Sequence, residues 1–97
     1  MAEIRFEWDE DKNRDNQAKH RVSFEEALTV FFDEEALFIP DPEHSNTEER
    51  FVILGMSSTL RVLVVCHCYR QSSEVIRIVS ARKASRVERK QYLGRWH

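Results

Sequence analysis

Two runs rich in β-branched residues, separated by one short polar turn, constrain this chain more than any other feature. Residues 60–69 read LRVLVVCHCY and residues 74–82 read EVIRIVSAR, with QSS in the turn between them. Val and Ile prefer the pleated, half-buried surface of a sheet, and so short a connection allows only an antiparallel hairpin. A third run, RFVILGMS at 50–57, leads into the first through SSTL. The C-terminal half therefore begins as a three-stranded antiparallel meander.

The N-terminal half supplies the helices. IRFEW (4–8) alternates Ile4, Phe6 and Trp8 against Arg5 and Glu7, the pattern of a half-buried strand. Asp9 then caps EDKNRDNQAKH, a helix with acids in its first turn and Lys19 and His20 in its last. That helix is polar nearly all round, so its stability rests on caps and charge pairs. In VSFEEALTVFFD, Ser23 and Glu26 have the spacing of a capping box, with Val22 and Ala27 as its hydrophobic staple. Phe24, Ala27, Leu28 and Phe31 form one apolar stripe. ALFIP (36–40) is a short strand that Pro40 ends or confines to an edge, and DPEHSNTEE (41–49) is a polar loop. Ser85 and Glu88 repeat the capping-box spacing ahead of a last helix over 86–93, stopped by Gly94. The order β-α-α-β-β-β-β-α describes one α+β domain over residues 1–97. It has an antiparallel sheet of four to five strands, two N-terminal helices and one C-terminal helix, with the helices largely on one face.

Composition excludes several classes. With 97 residues the chain builds one core, and a 41% apolar content is enough to fold it. No stretch approaches the roughly 20 apolar residues of a membrane span, and MAEIRFEWDE lacks the apolar centre of a secretion signal. Cys66 and Cys68 flank His67; on a strand they share one face, a poor arrangement for a disulfide. Both read as reduced thiols of a cytoplasmic protein. The cysteines and histidines have no C-x-x-C or H-x-x-x-H spacing, so no metal site is expected. Two glycines leave no Gly-rich phosphate loop, no nucleophile elbow is present, and no cofactor is expected.

Charge is divided unevenly. Residues 1–60 hold six Lys and Arg against fifteen Asp and Glu, a net −9, whereas residues 61–97 hold nine against two, a net +7. Such a split suits a polyanion site. It equally suits a fold whose acidic helices neutralise its basic strands.

Strand alternation puts Arg61, Leu63, Val65, His67 and Tyr69 on one face, opposite Val62, Val64, Cys66 and Cys68. On the last strand Ile76, Ile78, Ser80 and Arg82 oppose Val75, Arg77, Val79 and Ala81. In a hairpin, the start of one strand lies beside the end of the other, so Arg61 and Arg82 become neighbours at one rim. Two adjacent guanidiniums need an anion or carboxylates between them. Either a bound phosphate or Glu48 and Glu49 would serve.

Three blocks, FEWDEDKNRDNQAKHRVSFEEALTVFFDE, DPEHSNTEERFVILGMSS and VIRIVSARKASRVERKQY, together resemble the BrnT family of type II toxins over residues 6–92. The resemblance implies a RelE-like ribonuclease that cleaves RNA without metal, inhibits translation and growth, and is neutralised by a BrnA-type antitoxin. Its RNA would be free or ribosome-associated, and operator DNA would be met only through the antitoxin. The family's polar residues fall on Lys19, His20, His44, Ser45, Glu49, Arg50, Arg61, Arg70, Arg77, Ser80, Arg82 and Tyr92. The chain departs from the family at Arg21 and Leu60, where glycine is usual, and at Glu34, where proline is usual. The first and third of these changes, in chain order, put potency in question more than fold.

Cleavage by ribose 2′-OH attack concentrates negative charge on the phosphoryl oxygens, which fixed cations stabilise. Arginine suits that role because its charged fork matches phosphate. The expected clamp is Arg61 with Arg82, supported by Arg50, Arg70 and Arg77, while Arg86, Arg89 and Lys90 hold flanking phosphates. His20 is the first choice for proton transfer, with Lys19, Glu49 and Tyr92 behind it. Two other readings compete: a nucleic-acid-binding module without catalysis, and an interaction protein whose basic half docks an acidic partner.

Overall fold

A computed structural model describes residues 3–40, 50–71 and 74–94. In chain order the elements are β1 (Arg5–Glu7), α1 (Glu10–His20), α2 (Phe24–Thr29), a 3₁₀ turn (Val30–Phe32), β2 (Leu37–Pro40), β3 (Phe51–Met56), β4 (Val62–Arg70), β5 (Val75–Lys83) and α3 (Arg86–Gly94). The α+β order expected from sequence is present element by element. The five strands form one sheet in the order β1-β5-β4-β3-β2. β2 to β5 pair antiparallel, whereas β1 joins β5 in parallel, so the sheet is mixed. The long excursion through the two N-terminal helices and the meander carries the chain back to β1 in a direction that local alternation does not encode.

The helices divide between the two faces rather than gathering on one. Against the first face, α1 and α2 bury Val22, Phe24, Ala27 and Val30 on Ile53, Leu63, Val65, Ile78 and Ala81. Against the second, α3 lays Tyr92 on Leu54, Val62 and Val64. Gly55 on β3 lets the helical side approach closely, because a Cβ there would stand 2.8 Å from Val30 Cγ1.

α1 docks by an unexpected route. Asn13 and Asn16 are buried in this otherwise polar helix. Asn16 donates to Val22 O and Ala81 O, each at 2.8 Å, and accepts from Ala81 N at 3.2 Å. One side-chain amide thus satisfies the backbone of β5 beyond the end of β1, where no further strand among the described residues pairs with it. Asn13 accepts from Phe24 N at 2.9 Å and so fixes the start of α2. The caps are as read: Asp9 accepts from Asp11 N and Lys12 N, and Ser23 accepts from Glu26 N at 3.0 Å.

Arg21 (φ 59°), Leu60 (φ 65°) and Gln71 (φ 51°) occupy the left-handed region. Arg21 closes α1, donating its N–H to Gln17 O at 2.9 Å. Leu60 ends the β3–β4 turn, where Leu60 N bonds Ser57 O at 2.9 Å. Both are places where glycine is free of steric cost.

Candidate functional site

A β-bulge decides which arginines share a face. β4 and β5 pair as Val64↔Arg82, Val65↔Ala81 and Cys66↔Ser80, and then shift so that His67 opposes Ile78 and Cys68 opposes Arg77. Val79 is the extra residue. Strict alternation separates Arg77 from Ser80 and Arg82, but the bulge reverses that parity. Arg77, Ser80 and Arg82 therefore point to the second face, with Arg70 at the end of β4. Beyond α3 this face is open at Ser80, Arg82 and Arg70, with Arg77 and Cys66 half-buried. Arg86, Arg89 and Lys90 stand exposed on α3 at the same face.

The carboxylates are distributed unevenly here. Glu7 Oε2 lies 2.9 Å from Arg77 Nη1 and 3.6 Å from Arg70 Nη1, so two guanidiniums share one carboxylate oxygen. Arg82 is matched one to one: its two Nη atoms donate to the two Glu88 oxygens at 2.8 and 2.9 Å. Glu88 also accepts from Ser85 N, and Ser85 Oγ accepts from Glu88 N, which completes the expected capping box. The Arg82 pairing, with those cap bonds, holds the Glu88 carboxyl at about 2. It raises Arg82 further above its already high value. Arg82 is thus oriented by a helix cap and still solvent-facing.

Arg61 is placed differently from expectation. It stands at the same end of the sheet as Arg82 but turns toward α2 on the first face. There Glu26 Oε2 accepts from Arg61 Nε at 3.0 Å, Ser57 Oγ at 2.6 Å and Thr59 Oγ1 at 2.5 Å, and Glu26 Oε1 accepts from Arg61 Nη2. Arg61 Nη2 also reaches Arg21 O at 3.1 Å. Arg61 brings most of the force that holds the Glu26 carboxyl at about 2, with Ser57 and Thr59 contributing. The Arg61–Arg82 clamp is therefore not assembled: the sheet lies between the two, and each has its own glutamate. Glu26 supplies only half of its expected capping box because its carboxylate is committed to Arg61.

The remaining candidates sort by position. Lys19 and His20 end α1 on the first face, beside the Arg21 carbonyl that receives Arg61, and away from Arg77 and Arg82. Tyr92 is 4% exposed, and its hydroxyl donates to Asp33 Oδ2 at 2.5 Å, so it locks α3 to the turn after α2 rather than facing solvent. Arg50 is half-buried at the entry to β3. His44, Ser45, Glu48 and Glu49 lie outside the described residues.

Sequence reasoning missed Glu7, Glu26 and Glu88 as partners of the arginines. The two capping-box spacings were the available signal for the latter pair. It also passed over His67, which is fully buried among Phe31, Phe38, Phe51 and Tyr69. Its Nδ1 lies 3.2 Å from Val65 O, its Nε2 has no partner among the described residues, and burial pushes its pKa down. Among the described residues, no group of three or more His, Cys, Asp or Glu is placed to hold a metal ion. No helix among them is long and apolar enough to cross a membrane.

Residues 8–88 match the protein family described as the ribonuclease toxin, BrnT, of type II toxin-antitoxin systems. The chain belongs to the BrnT family. Its fold is similar to the crystal structure of the Brucella abortus ribonuclease toxin BrnT, with a TM-score of 0.67 and 25% identity over 86% of this chain and 99% of that one. No curated protein sequence matches the chain significantly. As a BrnT toxin of a type II system, the protein implies an antitoxin partner.

Proposed function

We propose that this BrnT protein is a metal-independent endoribonuclease that binds RNA across the second sheet face and cleaves it by attack of a ribose 2′-OH on the adjacent phosphate. The observation that carries the reading is the bulge-aligned set Arg77, Ser80 and Arg82 with Arg70, in which two guanidiniums share the single Glu7 carboxylate. Among the described residues this open face holds more guanidinium than carboxylate, which suits a phosphate whose oxygens accept the unused N–H donors bidentately. In the transition state the added negative charge falls where these fixed cations point, which lowers the barrier. Glu88 keeps Arg82 in one orientation, so less ordering is needed when the substrate arrives. Arg86, Arg89 and Lys90 extend the cationic path along α3 and hold flanking phosphates without reading sequence. Lys19 and His20 stand on the other face and take no part in this clamp. Such a toxin acts on cytoplasmic RNA, and a BrnA-type antitoxin keeps it inactive.

The test is end-labelled single-stranded RNA incubated with the purified chain in excess EDTA, beside the Arg77→Ala/Arg82→Ala double variant. Cuts ending in 2′,3′-cyclic phosphate, lost in the variant while its circular dichroism is unchanged, are the expected result. RNA that binds and stays intact, on translating ribosomes as well, would instead make the chain a nucleic-acid-binding module.

A further inference from the structure

On the face opposite the arginines, an apolar groove of about 550 Å³ runs across the sheet end that α1 and α2 leave uncovered. Phe6, Phe31, Phe32, Phe38 and Tyr69 line it, and among the described residues Glu3 is its one charged lining residue. Phe32 is 72% exposed, Ile4 beside it 61% and Phe38 59%. Contiguous aromatic surface of this kind marks an interaction site on a small protein.

The occupant follows from charge and size. The lining comes mostly from the part of the chain with net −9, residues 1–60. Arg5, Arg70 and Arg77 alternate with the lining residues Phe6, Tyr69 and Ile76 and so point to the other face. Among the described residues the lining holds one carboxylate and no Lys or Arg, which disfavours a phosphate backbone and favours a basic-flanked protein segment. The eight lining residues among those described fall well short of the roughly 20–30 a side of a standard interface between globular partners. The groove therefore suits a short segment anchored by two or three side chains rather than a second copy of the chain.

We infer that this groove is the docking site for a short apolar segment of the antitoxin, flanked by Lys or Arg that face Glu3. This rests on the toxin reading above but not on where RNA is cut. Anchoring here leaves the arginine face uncovered, so the groove provides affinity and the rest of the antitoxin has to reach the RNA site.

The test measures affinity between the chain and its cognate antitoxin, purified as their complex, for wild type, Phe32→Asp, Ile4→Asp, Glu3→Lys and the α3 control Val87→Asp. Phe32 and Ile4 are exposed enough for their variants to keep the fold, which circular dichroism verifies. Phe32→Asp and Ile4→Asp should each raise Kd by about 30-fold or more. Glu3→Lys should raise it less, and Val87→Asp, on the helix beside the arginine face that the rest of the antitoxin reaches, should raise it no more than Glu3→Lys does. RNA cleavage by the free Phe32→Asp chain should equal that of wild type. Unchanged affinity in the folded groove variants would overturn the inference, as would a groove-dependent dimer of the chain with normal antitoxin binding. A chain that loses antitoxin affinity through Phe32→Asp yet never cuts RNA would uphold the groove and refute the ribonuclease site.

Discussion

Replacing Glu26 by Gln tests whether Arg61 is a structural cation. Glu26 is 12% exposed at its side chain and Arg61 32%, so the pair is shielded on one side and open on the other. The carboxyl is held at about 2 against an ordinary 4.5. At about 1.4 kcal/mol per pH unit, the full displacement corresponds to about 3 kcal/mol. The open side of the pair screens it, which brings the expected loss in Glu26→Gln to about 1–2 kcal/mol at neutral pH. Because the folded-state pKa is depressed, this stabilisation is present above the unfolded value of 4.5. It is lost as pH falls from 4.5 toward 2. Glu88 is held down in the same way, but it is common to both proteins and cancels from the comparison. Urea unfolding at several pH values should therefore show a wild-type advantage near pH 7 that is more than half gone by about pH 3. An advantage independent of pH, or none at pH 7, would refute the argument. RNA cleavage per folded molecule should survive the substitution, because Arg61 lies outside the proposed clamp.

Two further substitutions bear on features that no motif predicts. His67→Phe removes from an aromatic enclosure a buried nitrogen that has no partner among the described residues and should raise stability by about 1 kcal/mol at pH 7. Burial depresses the His67 pKa, so wild type loses stability as pH falls below 6.5 and the advantage of the variant should widen there; parallel pH profiles from 7 to 5 would contradict this. Leu60→Gly relieves a side chain held at φ 65° and should raise the melting temperature, by about 0.5–1 kcal/mol of stability. A lower melting temperature would mean that Leu60 makes contacts outweighing its backbone strain.

Several elements were legible because their determinants are local. Asp9 and Ser23 caps, the acidic first turns and the Phe24–Ala27 stripe act within one or two turns of chain, and α1 begins and ends as its sequence pattern predicts. The resemblance also carried the family, since its blocks span most of the chain. Arg21 and Leu60 stand in the left-handed region that glycine adopts without strain, so those two turns keep a glycine-type geometry without glycine.

The candidate site was only half legible, and the reason is parity. The list of arginines came from the chain itself, but their assignment to faces assumed an unbroken period of two. One extra residue at Val79 reverses every side chain beyond it, which joins Arg82 to Arg77 and parts it from Arg61. A bulge is set by how two strands and their coverings fit, and Val79 is one more β-branched residue in a run that holds Val75, Ile76 and Ile78. The partners of the arginines were equally hidden: Glu7 comes from a parallel edge strand 70 positions from Arg77, and Glu26 lies 35 from Arg61. The chain alone determined its elements, its family and its store of cations. Tertiary structure decided which cations are neutralised by a single glutamate, which share one, and which face is left to them, because those outcomes depend on register and long-range pairing.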